Sequence, residues 1–325
     1  AEVGVSLSMT GADGSAVLQQ LGLDVLPVEA IGEARILAEV SGVPANGLDV
    51  RSTVRLGDTK IETNGTLTLK ADEETAYALI GTLETPDLTP LALLSGRILP
   101  VMAGDLPATL TATVEGVGTS LAVPSFSGTF QDTRFDGRLE GDLTPVPGER
   151  NRRFNGELNV SQMDLRALSE LVLGPDQWYA LGDGSSVWPT AFFGAPLLDD
   201  LDVTLDLRAD DLYLDEDTAL QSARAEFRLT PLLLRLDGLN GTYAGGKFDG
   251  NLSLRRSEAE GAASGRVKLT GADLRQLSWR PDGRAVVSGT GDLYLEFEGI
   301  GRSIAAIVAG LNGGGSFTLQ DGTVQ

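Results

Sequence analysis

Apolar and polar residues alternate along most of this chain. Ile61, Leu67 and Leu69 follow the rule, as do Val203, Leu205 and Leu207, then Phe248, Leu252 and Leu254, then Val267 and Leu269, then Leu293, Leu295 and Phe297. A period of two gives a strand with one apolar and one polar side, as in an antiparallel sheet that is solvated on one face. Gly- and Asp-rich stretches separate the runs and read as turns. The pattern predicts a mainly β chain of repetitive antiparallel strands.

The alternation also repeats at a longer period. One phrase is strand, Gly, strand: Lys60 to Leu69, Arg134 to Leu143 with Leu139 at its centre, and Lys247 to Leu254. A second phrase ends on an Asp: Ile80 to Asp87, Asn155 to Asp164 with Leu158 inside it, and Ser264 to Asp273, with an earlier fragment at Val5 to Asp13. The marker Asp therefore stands at 13, 87, 164 and 273, at intervals of 74, 77 and 109 residues. Each of the last three is followed by leucines three apart: Leu88, Leu91 and Leu94; Leu165, Leu168 and Leu171; Leu274 and Leu277. An Asp ahead of such spacing marks the start of a short one-faced helix that caps one end of the sheet. Asn64-Gly65, Asp136-Gly137 and Asp249-Gly250 read either as hairpin turns or as mid-strand bulges.

These marks divide the chain into modules over 1–21 (partial), 22–96, 97–174, 197–283 and 284–325, with an aromatic insertion at 175–196 that accounts for the long interval. Copies in series form an elongated repeat body in which each packs mainly on its neighbours. Their apolar sides either close as a sandwich or leave a curved sheet with a taco-like groove. The insertion, with Trp178, Trp188, Phe192 and Phe193, is either an interaction lip or a loop folded over the sheet end.

Composition narrows the function. The chain carries 46 acidic and 25 basic residues, a formal charge of −21, which repels phosphate backbones and excludes nucleic acid as a partner class. It has no Cys and no His, so thiolate chemistry, disulfides and the commonest metal ligand and general base are absent. Asp210 to Asp217 gathers five carboxylates without the ligand order of a calcium loop. Gly313-Gly314-Gly315 is Gly-rich without the Lys-Ser/Thr of a phosphate loop. No catalytic residue, metal site or cofactor is assigned. No apolar run reaches the roughly 18 to 20 residues that span a bilayer. Both ends read as strands cut from a longer protein, which places any anchor outside this sequence.

The tail carries a resemblance. Gly289 to Gly299 is a strand flanked by glycines, Ile304, Ile307, Val308 and Leu311 follow at helical spacing, and the chain closes on Leu311-Asn-Gly-Gly-Gly-Ser-Phe317-Thr-Leu319-Gln-Asp321-Gly-Thr-Val324. This resembles the C-terminal region of the AsmA-like family over residues 289–325, and the upstream copies resemble that family's repetitive body more weakly. The resemblance implies a bacterial envelope protein, periplasmic and anchored to the inner membrane by a segment outside this chain. It also implies an apolar β-groove that conducts phospholipids toward the outer membrane. The lining residues are then Ile61, Leu67, Leu69, Leu139, Leu158, Val203, Leu205, Leu207, Phe248, Leu252, Leu254, Val267, Leu269, Leu293, Leu295 and Phe297, and the partners are phospholipid acyl chains. Two other classes stand beside this one: an assembly scaffold that binds envelope or outer-membrane proteins through an open sheet edge, and a carbohydrate-active enzyme on a β-scaffold.

Overall fold

The structure is a computed structural model that describes residues 2–28, 31–71, 73–96, 105–145, 148, 150–175, 178, 188–198, 200–215, 218–277 and 287–324. Among the described residues it is mainly β, with sixteen strands and five short helices. Hydrogen bonding follows the order of the chain, and every register determined among the described residues is antiparallel. Two compact units divide it, Ala1–Leu158 and Asn159–Gln325.

The first unit opens with β1 (Val3–Gly11) and α1 (Gly14–Gln20), continues through β2 (Ala34–Val43), β3 (Gly47–Leu56), β4 (Thr59–Thr68) and β5 (Ala76–Thr85), and reaches α2 (Thr89–Leu94). Then come β6 (Ala108–Val117), β7 (Ser120–Phe130), β8 (Thr133–Asp142) and the start of β9 (Arg152–Asp164). Its enclosed core lies at one end, where Val17 and Leu18 of α1 and Leu94 of α2 pack with Ile31, Ala34, Ile36 and Leu56.

The second unit holds the end of β9, then α3 (Leu165–Leu173), β10 (Leu201–Tyr213), β11 (Ala219–Thr230), β12 (Leu233–Tyr243), β13 (Gly246–Ser257), β14 (Glu260–Asp273) and α4 (Leu274–Leu277). It closes with β15 (Val287–Gly301), α5 (Ile304–Ala309) and β16 (Asn312–Val324).

A helix follows every marker Asp, and the carboxylates explain why. Asp13 Oδ1 accepts from the Ala16 amide (3.1 Å), Asp87 Oδ1 from Thr89 (3.0 Å), Asp164 Oδ1 from Arg166 (2.7 Å) and Asp273 Oδ1 from Arg275 (3.0 Å). Each satisfies an amide that the first helical turn leaves without a partner. The Thr89 amide bond holds the Asp87 carboxyl below the usual carboxylate range. In α3 the face turned inward differs from the leucine spacing: Ser169, Glu170, Val172 and Leu173 are buried, while Leu165, Leu168 and Leu171 are half-buried. Two contacts set that rotation. Leu173 packs with Phe193, Ile304 and Ile307, and Arg256 Nη1 donates to the Val172 carbonyl (3.1 Å), a cation at the helix C-terminus.

The three Asx-Gly pairs are not turns. Gly65, Gly137 and Gly250 lie inside β4, β8 and β13, while two-residue hairpins fall at Gly57-Asp58, Gln131-Asp132 and Ala244-Gly245. Bulges sit on the partner strands: β7 shifts register between Val123 and Phe126 opposite Gly137, and β12 between Leu236 and Leu239 opposite Gly250. What these glycines supply is room. A Cβ at Gly137 would meet the Glu157 carbonyl oxygen and stand 2.7 Å from Phe126 Cζ, and one at Gly250 would stand 2.6 Å from the Arg266 carbonyl oxygen. Phe135 covers Gly128 and Phe297 covers Gly265 in the same way, an aromatic ring lying over a neighbouring strand's glycine. Gly137→Val should therefore cost about 1–3 kcal/mol through overpacking, read as a lowered denaturant midpoint by circular dichroism.

Candidate functional site: the apolar sheet face

Strand register assembles the apolar positions into rows. In the first unit Met9, Ile36, Val54, Ile61, Leu83, Leu110, Gly128 and Phe135 stand directly opposite one another in turn across β1 to β8. A second row runs Val5, Val40, Val50, Gly65, Leu79 and Val114. A third holds Leu48, Leu67, Tyr77 and Gly116. The bulge in β7 keeps Leu121 and Val123 on the same side as Phe126 and Phe130, which strict alternation would not. Of the lining residues expected in this unit, Ile61, Leu67, Leu139 and Leu158 are half-buried. Leu69 lies one residue beyond the end of β4 and is 43% exposed. Val54, which packs on the helix-capped core, is half-buried, and so are Leu79, Leu83, Leu110 and Phe135.

The second unit differs along its length. One row there runs Leu205, Phe227, Leu236, Leu252, Gly265, Phe297 and Gly313, and another runs Leu239, Gly250, Val267, Leu295 and Gly315. Over β10 to β13 much of this face is a closed core: Leu212, Leu220 and Leu236 have no exposure, and Leu207 and Phe248 are buried. Leu269 is buried as well, while Val203, Leu205, Leu252, Leu254, Val267, Leu293 and Phe297 are half-buried. Toward β16 the face opens, with Leu295 at 39% and Phe317 at 59% exposure. The expectation of one continuous lining thus meets a filled stretch, where Phe227, Leu229, Leu234 and Leu236 enclose the face together with Ala209, Ala223 and Ala225.

The sequence pattern missed Leu79, Leu83, Leu110, Phe126 and Phe317 as lining positions. Alternation was present at each, and only the register sets Leu83 beside Ile61, Leu79 beside Gly65, Leu110 beside Leu83 and Gly128, Phe126 beside Gly137 and Phe317 beside Leu293.

The other face is polar and laced with ion pairs, such as Arg266 Nε to Glu296 Oε1 at 2.6 Å and Arg235 Nε to Asp237 Oδ2 at 2.6 Å. The Tyr294 hydroxyl, with Arg266 beside it, holds the Glu296 carboxyl below its usual range. Part of the aromatic insertion folds inward. Trp178 Nε1 donates to Ser169 Oγ (2.8 Å) and Phe193 joins the α3–α5 cluster. Phe192 is 72% exposed with the Arg302 guanidinium 5.0 Å from its ring centre. Tyr179 and its neighbours lie outside the described residues, as do Glu216 and Asp217 of the acidic run. Gly313 to Gly315 are strand residues of β16.

Among the described residues no three acidic side chains gather as a metal site, and no helix is long and apolar enough to cross a membrane. Fold and face together define a repetitive antiparallel β-sheet protein. No family model matches the chain, and no curated protein or solved structure matches it.

Proposed function

We propose that the apolar faces hold aliphatic chains, and that this is a non-enzymatic groove protein of the bacterial periplasm that holds or conducts phospholipids between inner and outer membranes. The observation that carries the reading is the half-buried face of the first unit, where Ile61, Leu83, Leu110 and Phe135 share one row across β4 to β8 and each still meets water. Side chains that touch their row neighbours and still meet water gain about 0.8 kcal/mol for each methylene laid on them. Such a surface needs no directional contact to a tail, and headgroups stay in water. The periplasmic setting and the inner-membrane anchor rest on the likeness of residues 289–325 to the AsmA-like tail.

The test is lipid extraction and native mass spectrometry of the purified chain, with uptake of a labelled phospholipid. Co-purified or exchangeable phospholipid is expected. A protein that carries none and takes up none overturns the reading. A second reading is a scaffold that binds envelope proteins through a sheet edge, supported by β16. This strand exposes Phe317 and Leu319 and pairs on one side only, with β15, among the described residues. Crosslinking to protein and not to lipid would favour it.

A further inference from the structure

The polar face of the first unit holds an arrangement that neither sheet formation nor solubility requires. Register sets Arg35 directly opposite Arg55, and Arg55 directly opposite Lys60. Three cations therefore stand in one row on adjacent strands, about 5 Å apart at their backbones. In the next row are Leu37, Thr53 and Glu62, and the six side chains bound a depression of about 480 Å³. Lys60 Nζ lies 2.9 Å from Glu62 Oε2. Arg35 and Arg55 are exposed and have no ion-pair or hydrogen-bond partner among the described residues. Glu84, opposite Lys60 on β5, is the next group along the row.

Like charges placed directly across a ladder destabilise it. That cost is easily avoided in a chain with 46 acids and 25 bases, where interleaving the signs is the simpler outcome. Two free guanidinium groups offer planar forks that match the oxygens of a tetrahedral anion, and the ammonium and the Thr53 hydroxyl add donors at the same spot. A carboxylate presents two oxygens, whereas a phosphate group presents three or four and more charge, which suits three cations better.

We propose that the Arg35–Arg55–Lys60 depression is an oxyanion site that takes a phosphate group, either of a free phosphate ester or of a lipid headgroup at a membrane surface. Glu62 holds the Lys60 ammonium in the row while the two arginines clasp the anion. The site lies on the face opposite the apolar rows, so it stands or falls independently of acyl-chain binding.

The experiment titrates the whole chain with inorganic phosphate and with glycerol phosphate by calorimetry at constant ionic strength. In parallel it sediments the chain with vesicles of phosphatidylglycerol or of phosphatidylcholine. Saturable phosphate binding is expected, weakened by about tenfold or more in Arg35→Gln/Arg55→Gln, since each lost bond is charge-assisted. It should be unchanged in Arg228→Gln, whose arginine is paired with Asp202 in the second unit. Both arginines are exposed, so the double variant folds; phosphate should raise the thermal midpoint of the parent and not of the variant. Phosphate binding together with variant-sensitive binding to phosphatidylglycerol vesicles identifies a headgroup site. Phosphate binding with no vesicle binding identifies a free phosphate ester. No phosphate binding, or binding equal in parent and double variant, overturns the proposal whatever the vesicles show.

Discussion

Leu83→Glu should weaken binding of a labelled phospholipid by roughly 30-fold or more while leaving the fold intact. Leu83 stands between Ile61 and Leu110 in the middle of the long row of the first unit and is half-buried. In the empty protein a glutamate there reaches water past its neighbours, so the change costs only the cross-strand contacts of one leucine, about 1 kcal/mol or less. With a tail laid across the row, the same carboxylate is enclosed without a partner, which costs at least about 2 kcal/mol against binding. The charged form is the one penalised, so the bound state raises the carboxyl above its ordinary value near 4.3. Binding to the variant should then recover as the pH falls toward 5, whereas the parent stays flat over that range. Equilibrium titration of the labelled lipid at pH 7.5 and pH 5 reads both effects. Equal affinity of variant and parent at pH 7.5 would remove the first-unit face as the place where tails sit.

The strands and the helix starts were legible because each is a local device. Leu205-Asp206-Leu207 needs only its own period, and Asp164 needs only an amide two residues on. The faces that pack were less so. Leu165, Leu168 and Leu171 mark the apolar stripe of α3, yet Phe193 and Arg256 turn Val172 and Leu173 inward, and neither partner is near in sequence. Gly137 carries the letters of a hairpin turn. It sits mid-strand because Phe126 and the Glu157 carbonyl, on two different strands, need the space a side chain would fill. The expected lining shows the same division. Alternation put Leu207 and Phe297 on one side correctly, but how deeply each is enclosed depends on what lies across the sheet, which period two does not encode. Arg35, Arg55 and Lys60 are an ordinary scatter of bases in sequence and a row only once three strands are aligned.

That difference in depth has a direct consequence for stability. Leu236→Ala, in the closed part of the second unit, should cost about 3 kcal/mol, because a side chain with no exposure leaves both its transfer energy and a cavity behind. Leu79→Ala in the first unit should cost about 1 kcal/mol or less, since a half-buried leucine has lost only part of its contact with water and no sealed void forms. The two units can be followed separately. Trp178 and Trp188 belong to the second unit and the third tryptophan, at 279, falls within its sequence range, so fluorescence reports its unfolding while circular dichroism reports both. Leu236→Ala should move the fluorescence transition, and Leu79→Ala should leave it in place and shift only the other component of the dichroism. Saturating phospholipid should separate them further, raising the midpoint of the first unit in the parent and less so in Leu79→Ala, because a ligand stabilises only the state it binds. Should Leu79→Ala prove as costly as Leu236→Ala without lipid, the face between β3 and β8 is already filled by the protein's own side chains, and no aliphatic guest has room there.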